Sequence, residues 1–292
     1  MIAAIYSRKP PLKDTDTVKE LIQLLLQNQF QLMIAGPLLE ELRKHMPLPE
    51  STMAFSSYDD LKDKAECLIS LGGDGTLLDT ITLVRDSGIP VLGINIGRLG
   101  FLAGVGKEEI EEAVLSLANN SFILDKRSLL QLECNKPLFE KAPFALNEVT
   151  IHKKDVSSMI RIHTYINGEF LTSYWADGLI VSTPTGSTGY SLAVGGPVMM
   201  PSGSSFIIAP IAPHNLNIRP IVIADDSVIS FEVEGRTDTF LCTLDARTET
   251  IDSSFQIAVR KAPFQLSLVR LHERSFLSTL TKKLNWGLDS RN

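Results

Sequence analysis

Cysteine and histidine are scarce in this 292-residue chain, and their spacing excludes the common metal and disulfide frameworks. The three cysteines, Cys67, Cys134 and Cys242, are odd in number and far apart, with no C-x-x-C pair. The five histidines are dispersed, and no H-E-x-x-H occurs. The sequence therefore predicts neither a zinc site nor a disulfide-stapled fold. Each cysteine is expected to behave as a small buried hydrophobe.

Long apolar runs and an excess of basic charge are absent too. No run approaches the roughly 18 to 20 apolar residues that a membrane-spanning helix needs. Met1–Tyr6 is too short, and too soon followed by Arg8, for a secretory segment. The net charge of −6 gives no general nucleic-acid signal. We expect a cytoplasmic protein that binds neither nucleic acid nor membranes.

Two common phosphate-binding motifs are missing as well. No G-x-x-x-x-G-K-[ST] loop occurs, since Gly106-Lys107 is followed by Glu108. The dinucleotide motif G-x-G-x-x-G fails because position 78 is Leu78. The chain instead contains a glycine turn with one carboxylate inside it, Leu71-Gly72-Gly73-Asp74-Gly75-Thr76.

This turn joins a predicted strand to a predicted helix. Ala65–Leu71 ends in an apolar run, and apolar residues then recur at helical spacing up to Val84. Ser87–Pro90 ends the helix, and Val91–Asn95 forms the next strand. The turn therefore lies at the carboxyl edge of a sheet, where ligands bind in open α/β folds. A hairpin is the alternative for Asp-Gly, but the helical period after Thr76 argues against it.

A carboxylate in a phosphate loop requires a special task. Backbone N–H groups and the helix dipole attract an anion there, whereas Asp74 repels it. The arrangement is tolerable if a divalent cation lies nearby, or if the carboxylate takes the proton of an attacking hydroxyl. Both conditions are met in phosphoryl transfer. A kinase without a Walker loop is therefore the hypothesis that best explains the Asp74 carboxylate.

The chain divides into an α/β part and an all-β part. Up to residue 119 strands alternate with helices, as in strand Ile2–Tyr6, helix Thr15–Gln27 and strand Gln31–Ala35, which predicts a parallel sheet. Residues 120–265 show period-two alternation typical of an all-β domain, with a hairpin signal at Asn167-Gly168.

The end of the chain regains helical spacing. Two strands, Gln256–Arg260 and Gln265–Val269, are predicted on either side of Ala262-Pro263. Within the last segment, 266–292, a helix over Ser275–Trp286 is expected to pack back on the first domain.

A second group of unusual residues lies in the all-β part. Asp177–Ser191 combines a strand with a Ser/Thr/Gly loop. Ser187 directly follows a glycine, so the G-x-S-x-G nucleophile elbow is not formed. Ser187 or Thr188 capping a helix is one interpretation, and hydroxyls that bind a nucleotide's base and sugar are another. Asn147-Glu148 interrupts a strand-like segment, as either a hydrogen-bonded pair or a solvated strand end.

These clusters, in this order, resemble the motifs of the NAD kinase family. Gly-Gly-Asp-Gly alone is shared with lipid kinases of the diacylglycerol type and loosely with phosphofructokinases, whereas Thr-Gly-Ser-Thr is more specific. The resemblance runs from Leu71 to about Leu244, with a weaker match at Leu280–Trp286. The matching motifs are Gly72–Gly75, Gly97–Leu102, Asn147–Glu148, Asp177–Gly178, Thr185–Ser191, Gly195–Pro197, Pro213–His214 and Arg219–Pro220.

The resemblance implies a fold and an activity. The fold would be an α/β N-terminal domain (1–119), three-layered and similar to phosphofructokinases and diacylglycerol kinases, with an all-β NAD-binding domain (120–265). The activity would be transfer of the terminal phosphoryl group of ATP, or in some members of polyphosphate, to the 2′-hydroxyl of the adenosine ribose of NAD, giving NADP. A divalent metal, Mg²⁺ or a similar ion, would assist, with its ligands unknown. Such enzymes are typically homo-oligomers, dimers or tetramers.

The resemblance also implies residue roles by matching position. Asp74 would contact the ribose as general base, with Asn147 on the adenine and Glu148 on the sugar hydroxyls. Near the donor phosphates would lie Gly72, Gly73, Gly75 and Thr76. The remaining nucleotide-binding residues would be Phe101, Ser187, Thr188, Gly189, Tyr190 and Ser191, and, toward the nicotinamide end and partly across a subunit interface, Trp175, Asp177, Ala212, Asp245 and Arg247.

Three positions depart from the family pattern or vary within it. Gly189 replaces the usual Ala, which should loosen the local backbone without removing a contact. Arg247 replaces a commoner Gln, and Trp175 varies between members, so the preference for NAD over NADH stays open. A lipid kinase is the nearest alternative, but no polybasic stretch or basic amphipathic helix is present to dock it on a bilayer. A non-catalytic nucleotide-binding module is the other, and it would have no use for the Asp74 carboxylate.

Overall fold

The computed structural model describes residues 1–9, 14–97, 100–155, 158–271 and 275–286. The chain forms two compact units. Unit 1 consists of Met1–Lys126 and Leu266–Asn292, and unit 2 of Arg127–Gln265. Of the predicted motifs, Gly97–Leu102 includes residues 98 and 99, which lie outside the described residues.

Strands dominate the second half of the chain and alternate with helices in the first. The helices are α1 Thr15–Gln27, α2 Gly36–His45, α3 Tyr58–Leu61, α4 Asp74–Val84, α5 Ile110–Ala118, α6 Tyr190–Ala193 and α7 Phe276–Leu284. The strands are β1 Ile2–Tyr6, β2 Gln31–Ala35, β3 Met53–Phe55, β4 Cys67–Leu71, β5 Val91–Ile94, β6 Ile123–Cys134, β7 Phe144–Ala145, β8 Glu148–Lys153, β9 Ile160–Ile166, β10 Glu169–Ala176, β11 Gly178–Ser182, β12 Ser205–Ile211, β13 Ile221–Ala224, β14 Ile229–Glu234, β15 Phe240–Leu244, β16 Arg247–Ile251 and β17 Ile257–Arg270.

Unit 1 contains the parallel sheet that the alternation of strands and helices predicts. Its strands run in the order β3-β2-β1-β4-β5, and every neighbouring pair is parallel. β4 is buried along its whole length, as expected of a strand covered on both faces. α1 contributes Val18, Leu21, Ile22 and Leu25 to the core from one face. The α/β prediction for the first part of the chain is confirmed.

The C-terminal helix α7 belongs to unit 1, as predicted. Its first residue, Phe276, lies with its ring 6.4 Å from the ring of Phe101. Lys283 places its ammonium 5.1 Å from the same ring. No helix in the described ranges is long and apolar enough to cross a membrane.

Unit 2 is built from antiparallel strands. One sheet runs β13-β12-β11-β8-β15-β16, and another contains β10, β9, β14 and β17 as successive neighbours. Asn167 and Gly168 form the two-residue turn between β9 and β10, both with positive φ, as the Asn-Gly signal predicts. One hydrophobic cluster includes side chains from both sheets, Val149 and Phe240 on one and Ile162 and Phe231 on the other.

The predicted break at Pro263 is wrong, because β17 continues through it. The strand changes partners along its length: 257–259 pair with β14, and Leu268 pairs with Val91 of β5. Pro263, which has no N–H to donate to a ladder, lies between these two stretches. β17 also pairs with β6, so the proline lies within a strand that has several partners rather than in a turn.

Candidate active site

The glycine turn leaves β4 and opens α4, as the sequence predicts. Gly72 has φ of +150°, and a Cβ there would lie 2.4 Å from Thr76 Oγ1, so a side chain does not fit. Gly73 is the N-cap of α4 and is exposed, and a Cβ built on it meets no atom within 4 Å. Because the first N–H groups of a helix lack intrahelical partners, this open backbone suits an anion.

Asp74, the first residue of α4, has a carboxylate held by a second segment of unit 1. The backbone N–H of Phe101 donates to Oδ2 over 2.8 Å, and those of Leu102 and Ala103 donate to Oδ1 over 3.0 Å each. A Cβ on Gly100 would lie 1.7 Å from Oδ1, so glycine is required there. A carboxylate offers about four acceptor positions. The three donors therefore orient the group and leave Oδ2 able to accept a further proton or hydrogen bond.

In unit 2, the Asn147–Glu148 dipeptide is joined to the segment that follows β11. Asn147 O accepts the N–H of Thr183 over 2.9 Å and the hydroxyl of Ser182 over 3.2 Å. A Cβ on Gly186 would lie 2.1 Å from the same oxygen. The structure therefore brings together two clusters that lie nearly 40 positions apart in the sequence.

Asp245 also holds the Asn147–Glu148 dipeptide. It occupies the tight turn between β15 and β16 with φ of +53°. Its carboxylate accepts the N–H groups of Leu146, Asn147 and Glu148 over 2.9, 2.7 and 3.2 Å, and its own N–H donates to Glu148 O. Burial raises the pKa of Asp245, and these donors act in the opposite direction. Asp245 therefore sets the backbone of the Asn147–Glu148 dipeptide.

Three polar atoms of this region are buried and unpaired. Within the described residues, Asn147 Oδ1, Glu148 Oε2 and Ser191 Oγ have no hydrogen-bond partner. Burial raises the pKa of Glu148 to about 8, with the Asp245 charge acting in the same direction and the Tyr190 backbone N–H in the opposite one. Gly189 leaves room over this carboxylate, since a Cβ there would lie 3.3 Å from Oε2. Buried unpaired acceptors are costly, and they suit a ligand that donates hydrogen bonds.

The hydroxyl of Ser187 serves the local fold. It is fully buried, donates to Pro184 O over 2.7 Å and accepts the N–H of Met199 over 2.9 Å. The predicted capping role is wrong, because the N-cap of α6 is Gly189 and no side chain caps that helix. Thr188 Oγ1 lies 3.4 Å from Thr185 O.

Trp175, Asp177 and Ala212 form a separate group at the ends of β10 to β12. The Asp177 carboxylate pairs with Lys153 over 2.6 Å, and its N–H donates to Ile211 O, next to Ala212. The Trp175 ring is 44% exposed and stacks on His214 with centroids 4.6 Å apart.

Arg247 lies one residue beyond the Asp245 turn and holds the chain just before Asn147. Its guanidinium donates to Ala142 O over 2.5 Å and to Phe144 O, and it stands 5.8 Å from the centre of the Phe139 ring. A role for Asp245 and Arg247 at the nicotinamide end stays a prediction. Their described contacts stabilise the Ala142–Glu148 segment.

Two residues that the sequence analysis does not single out lie beside the glycine turn. Arg8, just after β1, pairs with Asp79 of α4. The available signal was positional, because residues after the first strand of a parallel sheet reach the same edge as the glycine loop.

The described residues contain no cluster of three His, Cys, Asp or Glu side chains able to hold a metal. Mg²⁺ is commonly held by one or two carboxylates together with substrate phosphates. One carboxylate and open backbone at the glycine turn fit that mode of binding, and a dedicated protein cage is not needed.

Sequence models of two domains match the chain. The ATP-NAD kinase N-terminal domain matches residues 10–122, and the ATP-NAD kinase C-terminal domain matches residues 146–271. The NAD kinase of Cytophaga hutchinsonii is 46% identical over 295 residues, covering 100% of both chains. The NAD kinase of Flavobacterium psychrophilum is 46% identical over 277 residues, 94% of each chain.

Two solved structures share the fold. The yeast NADH kinase complexed with NADH has a TM-score of 0.90 at 21% identity and covers 99% of this chain and 88% of its own. An NAD kinase from Archaeoglobus fulgidus in complex with ATP has a TM-score of 0.76 at 23% identity and covers 98% and 99%. Both support an α/β domain followed by a β-rich domain.

Proposed function

The chain belongs to the NAD kinase family, and on that premise we propose that it transfers the terminal phosphoryl group of ATP to the 2′-hydroxyl of the adenosine ribose of NAD, giving NADP. The observation that supports this best is the group of three buried, unpaired polar atoms in unit 2, Asn147 Oδ1, Glu148 Oε2 and Ser191 Oγ. An adenosine offers an amino group and sugar hydroxyls, which are donors for such acceptors.

The adenosine half of NAD is assigned to these residues. Asn147 binds the adenine, Glu148 accepts from the sugar hydroxyls, and Thr188–Ser191 lines the pocket. Phe101 is assigned to the dinucleotide as well. The nicotinamide end is assigned to Trp175, Asp177, Ala212, Asp245 and Arg247. Asp245 and Arg247 hold the backbone of the Ala142–Glu148 segment.

Asp74 is assigned the proton of the reacting hydroxyl. Because three backbone N–H groups fix its carboxylate and one acceptor position on Oδ2 remains, the group is oriented in advance for proton transfer. A positioned base of this kind contributes about 10²- to 10⁴-fold in rate. The residues assigned to the donor phosphates are Gly72, Gly73, Gly75 and Thr76. Gly72 and Thr76 already donate their N–H groups to Ile94 O and Gly73 O, so the backbone donors proposed to meet the phosphates are those of Gly73 and Gly75.

A divalent cation completes the proposal. The phosphates of the donor would hold it beside the glycine turn, and its protein ligands are not assigned. When bound, it supplies positive charge that offsets the charge developing on the transferred group. We expect EDTA to abolish NADP formation and added Mg²⁺ to restore it.

We also propose a cytoplasmic homo-oligomer. Unit 2 exposes several large apolar side chains, which in a monomer would stay in contact with water. They are Trp175, Met200, Leu216 and Val222, exposed by 44 to 84%. Light scattering coupled to size exclusion should give a dimer or tetramer, and a monomer at all concentrations would refute this part.

The test is to incubate the purified chain with NAD, ATP and Mg²⁺ and to measure NADP with an NADP-specific dehydrogenase. The Asp74→Asn variant should bind NAD within a few-fold of wild type in calorimetry and lose at least about 100-fold in turnover. Asp16→Asn, an exposed carboxylate on α1, is the matched control and should be unchanged. Absence of NADP from the wild-type reaction would refute the activity, and near-normal turnover of Asp74→Asn would refute the assigned base.

A further inference from the structure

Arg8 lies at the point where the order of the parallel sheet reverses. β1 is flanked by β2 and β4, with β2 leading on to β3 at one side and β4 leading on to β5 at the other. In open α/β sheets, ligands bind in the crevice outside the carboxyl ends of the two strands at such a point. The segments that leave these ends are Ser7-Arg8 after β1 and the glycine turn after β4, and Ser7 Oγ donates to Leu71 O over 2.9 Å.

The guanidinium of Arg8 is held in one plane by α4. Its Nε and Nη2 donate to the two oxygens of Asp79 over 2.5 Å each, a bidentate pair. Nη2 also donates to Gly75 O over 2.8 Å. The hydroxyl of Tyr6 donates to the same Asp79 carboxylate over 3.1 Å. The Arg8 head group is therefore oriented by the glycine turn itself and by the helix that the turn opens.

One edge of this guanidinium is left over. Among the contacts of the described residues, Nη1 of Arg8 has no hydrogen-bond or ion-pair partner, and the side chain is 44% exposed. Nη1 would lie 3.6 Å from a Cβ built on Gly75. It thus contributes two N–H donors and a positive charge directly beside the open backbone of the turn.

Charge at this turn favours a role for Arg8. Asp74 and Asp79 bring two carboxylates to the first two turns of α4, whereas the proposed donor is a polyanion. Asp79 offsets the formal charge of Arg8 but uses only its Nε–Nη2 edge, so the two N–H donors of Nη1 remain for a ligand. Guanidinium groups match phosphate oxygens in geometry as well as in charge.

We propose that Arg8 binds the phosphate chain of the donor nucleotide through Nη1, with Asp79 as the positioning residue that aims it. This inference rests on the proposed kinase function, because it assigns a residue to the phosphoryl donor of that reaction.

The test compares Arg8→Met and Arg8→Lys with wild type in steady-state kinetics. Arg8→Met removes the charge and the donors at similar length, so KM for ATP should rise about 10- to 100-fold, the range for a lost hydrogen bond to a charged group, with KM for NAD changed less than about threefold. Arg8→Lys should be intermediate, since it keeps the charge and loses the fork. Arg43→Met, at an exposed arginine of α2, is the matched control and should behave as wild type.

Inorganic tripolyphosphate provides a second measurement that does not depend on turnover. We expect it to compete with ATP for the wild-type enzyme and to bind Arg8→Met more weakly by a similar factor in calorimetry. Asp79→Asn should weaken tripolyphosphate binding less than Arg8→Met does, because the guanidinium remains and removal of a negative charge partly offsets the loss of its orientation.

The outcomes separate the two proposals. A wild-type enzyme that makes NADP, together with an Arg8→Met variant of normal KM for ATP and normal affinity for tripolyphosphate, would overturn the role of Arg8 and leave the kinase function intact. A wild-type chain that makes no NADP would overturn the function, and tripolyphosphate binding would still decide on Arg8. If urea denaturation shows that Arg8→Met is unfolded, the decision passes to Arg8→Lys, for which unchanged KM and tripolyphosphate affinity would refute the proposal.

Discussion

Glu148 gives the sharpest test of the geometry in unit 2. Burial and the Asp245 charge raise its pKa from the ordinary 4.5 to about 8. In the folded chain the carboxyl therefore keeps its proton over a range in which the unfolded chain has already lost it. A group that binds more protons in the folded state makes stability fall as pH rises. The contribution is fully present below about pH 4.5 and is lost as pH approaches 8.

The size of the effect follows from the same pKa. Each pH unit is worth about 1.4 kcal/mol, so a change from 4.5 to about 8 corresponds to about 5 kcal/mol across the whole range. Between about pH 5.5 and 7.5 the free energy of the unfolding transition that exposes Glu148 should fall by about 3 kcal/mol on account of this one group. Glu148→Gln has nearly the same shape and no titrating proton, so its stability should lack this slope.

The assay is urea denaturation followed by the fluorescence of Trp175, which lies in unit 2. Trp286 belongs to unit 1, and a Trp286→Phe background removes its signal. His214 stacks on Trp175, and both residues are kept in the variant, so any quenching by that ring should cancel in the comparison. Parallel curves for wild type and Glu148→Gln over this pH range would refute the inference that Glu148 is buried as a protonated acid.

Three further predictions concern the same residues. NAD binding near neutral pH should release up to one proton, because ribose hydroxyls that donate to Glu148 favour its ionised form. Calorimetry in two buffers of different ionisation enthalpy measures the number of protons released. The Glu148→Gln variant should release none. Gly100→Ala should lower turnover about as far as loss of the Asp74 base, since the new Cβ would lie 1.7 Å from Asp74 Oδ1. Gly104→Ala should retain activity, because its Cβ meets no atom within 4 Å. Equal turnover of the two variants would contradict this prediction. Asp245→Asn should shift the pH dependence of KM for NAD to lower pH, because a like charge beside Glu148 is removed, and an unshifted profile would leave Asp245 with a purely structural role.

The parts of the fold that the sequence predicts are those with strong local signals. β1, α1 and β2 begin and end where the apolar spacing places them. The two-residue turn at Asn167-Gly168 needs positive φ at both positions, which Asn and Gly adopt readily. The course of β17 through Pro263 could not be predicted, because it depends on pairing with β14 and β5, which lie far away in the sequence.

In the site, too, local signals are predictable from the sequence and distant contacts are not. Motif positions such as Asp74 and Glu148 are recognisable along the chain, but their partners are not. The N–H donors of Asp74 lie 27 to 29 residues away, and the Asp245 carboxylate reaches back 97 to 99 residues. Contacts of this kind carry no local signal, so only the folded chain shows that Asp245 holds the Asn147–Glu148 backbone and that Asp79 orients Arg8.

The composition of unit 1 from two distant stretches of chain sets an order of events during synthesis. Unit 2, Arg127–Gln265, is one continuous stretch, whereas unit 1 also needs the stretch that begins at Leu266 and is synthesised after unit 2. Until then β5 lacks its pairing with Leu268, and Phe101, beside the Asp74 carboxylate, lacks the ring of Phe276. Domains generally form as units as the chain emerges. Unit 1, which contains Asp74, is therefore completed after unit 2, and a ribosome that stops near Gln265 releases a chain whose second unit is complete and whose first is not.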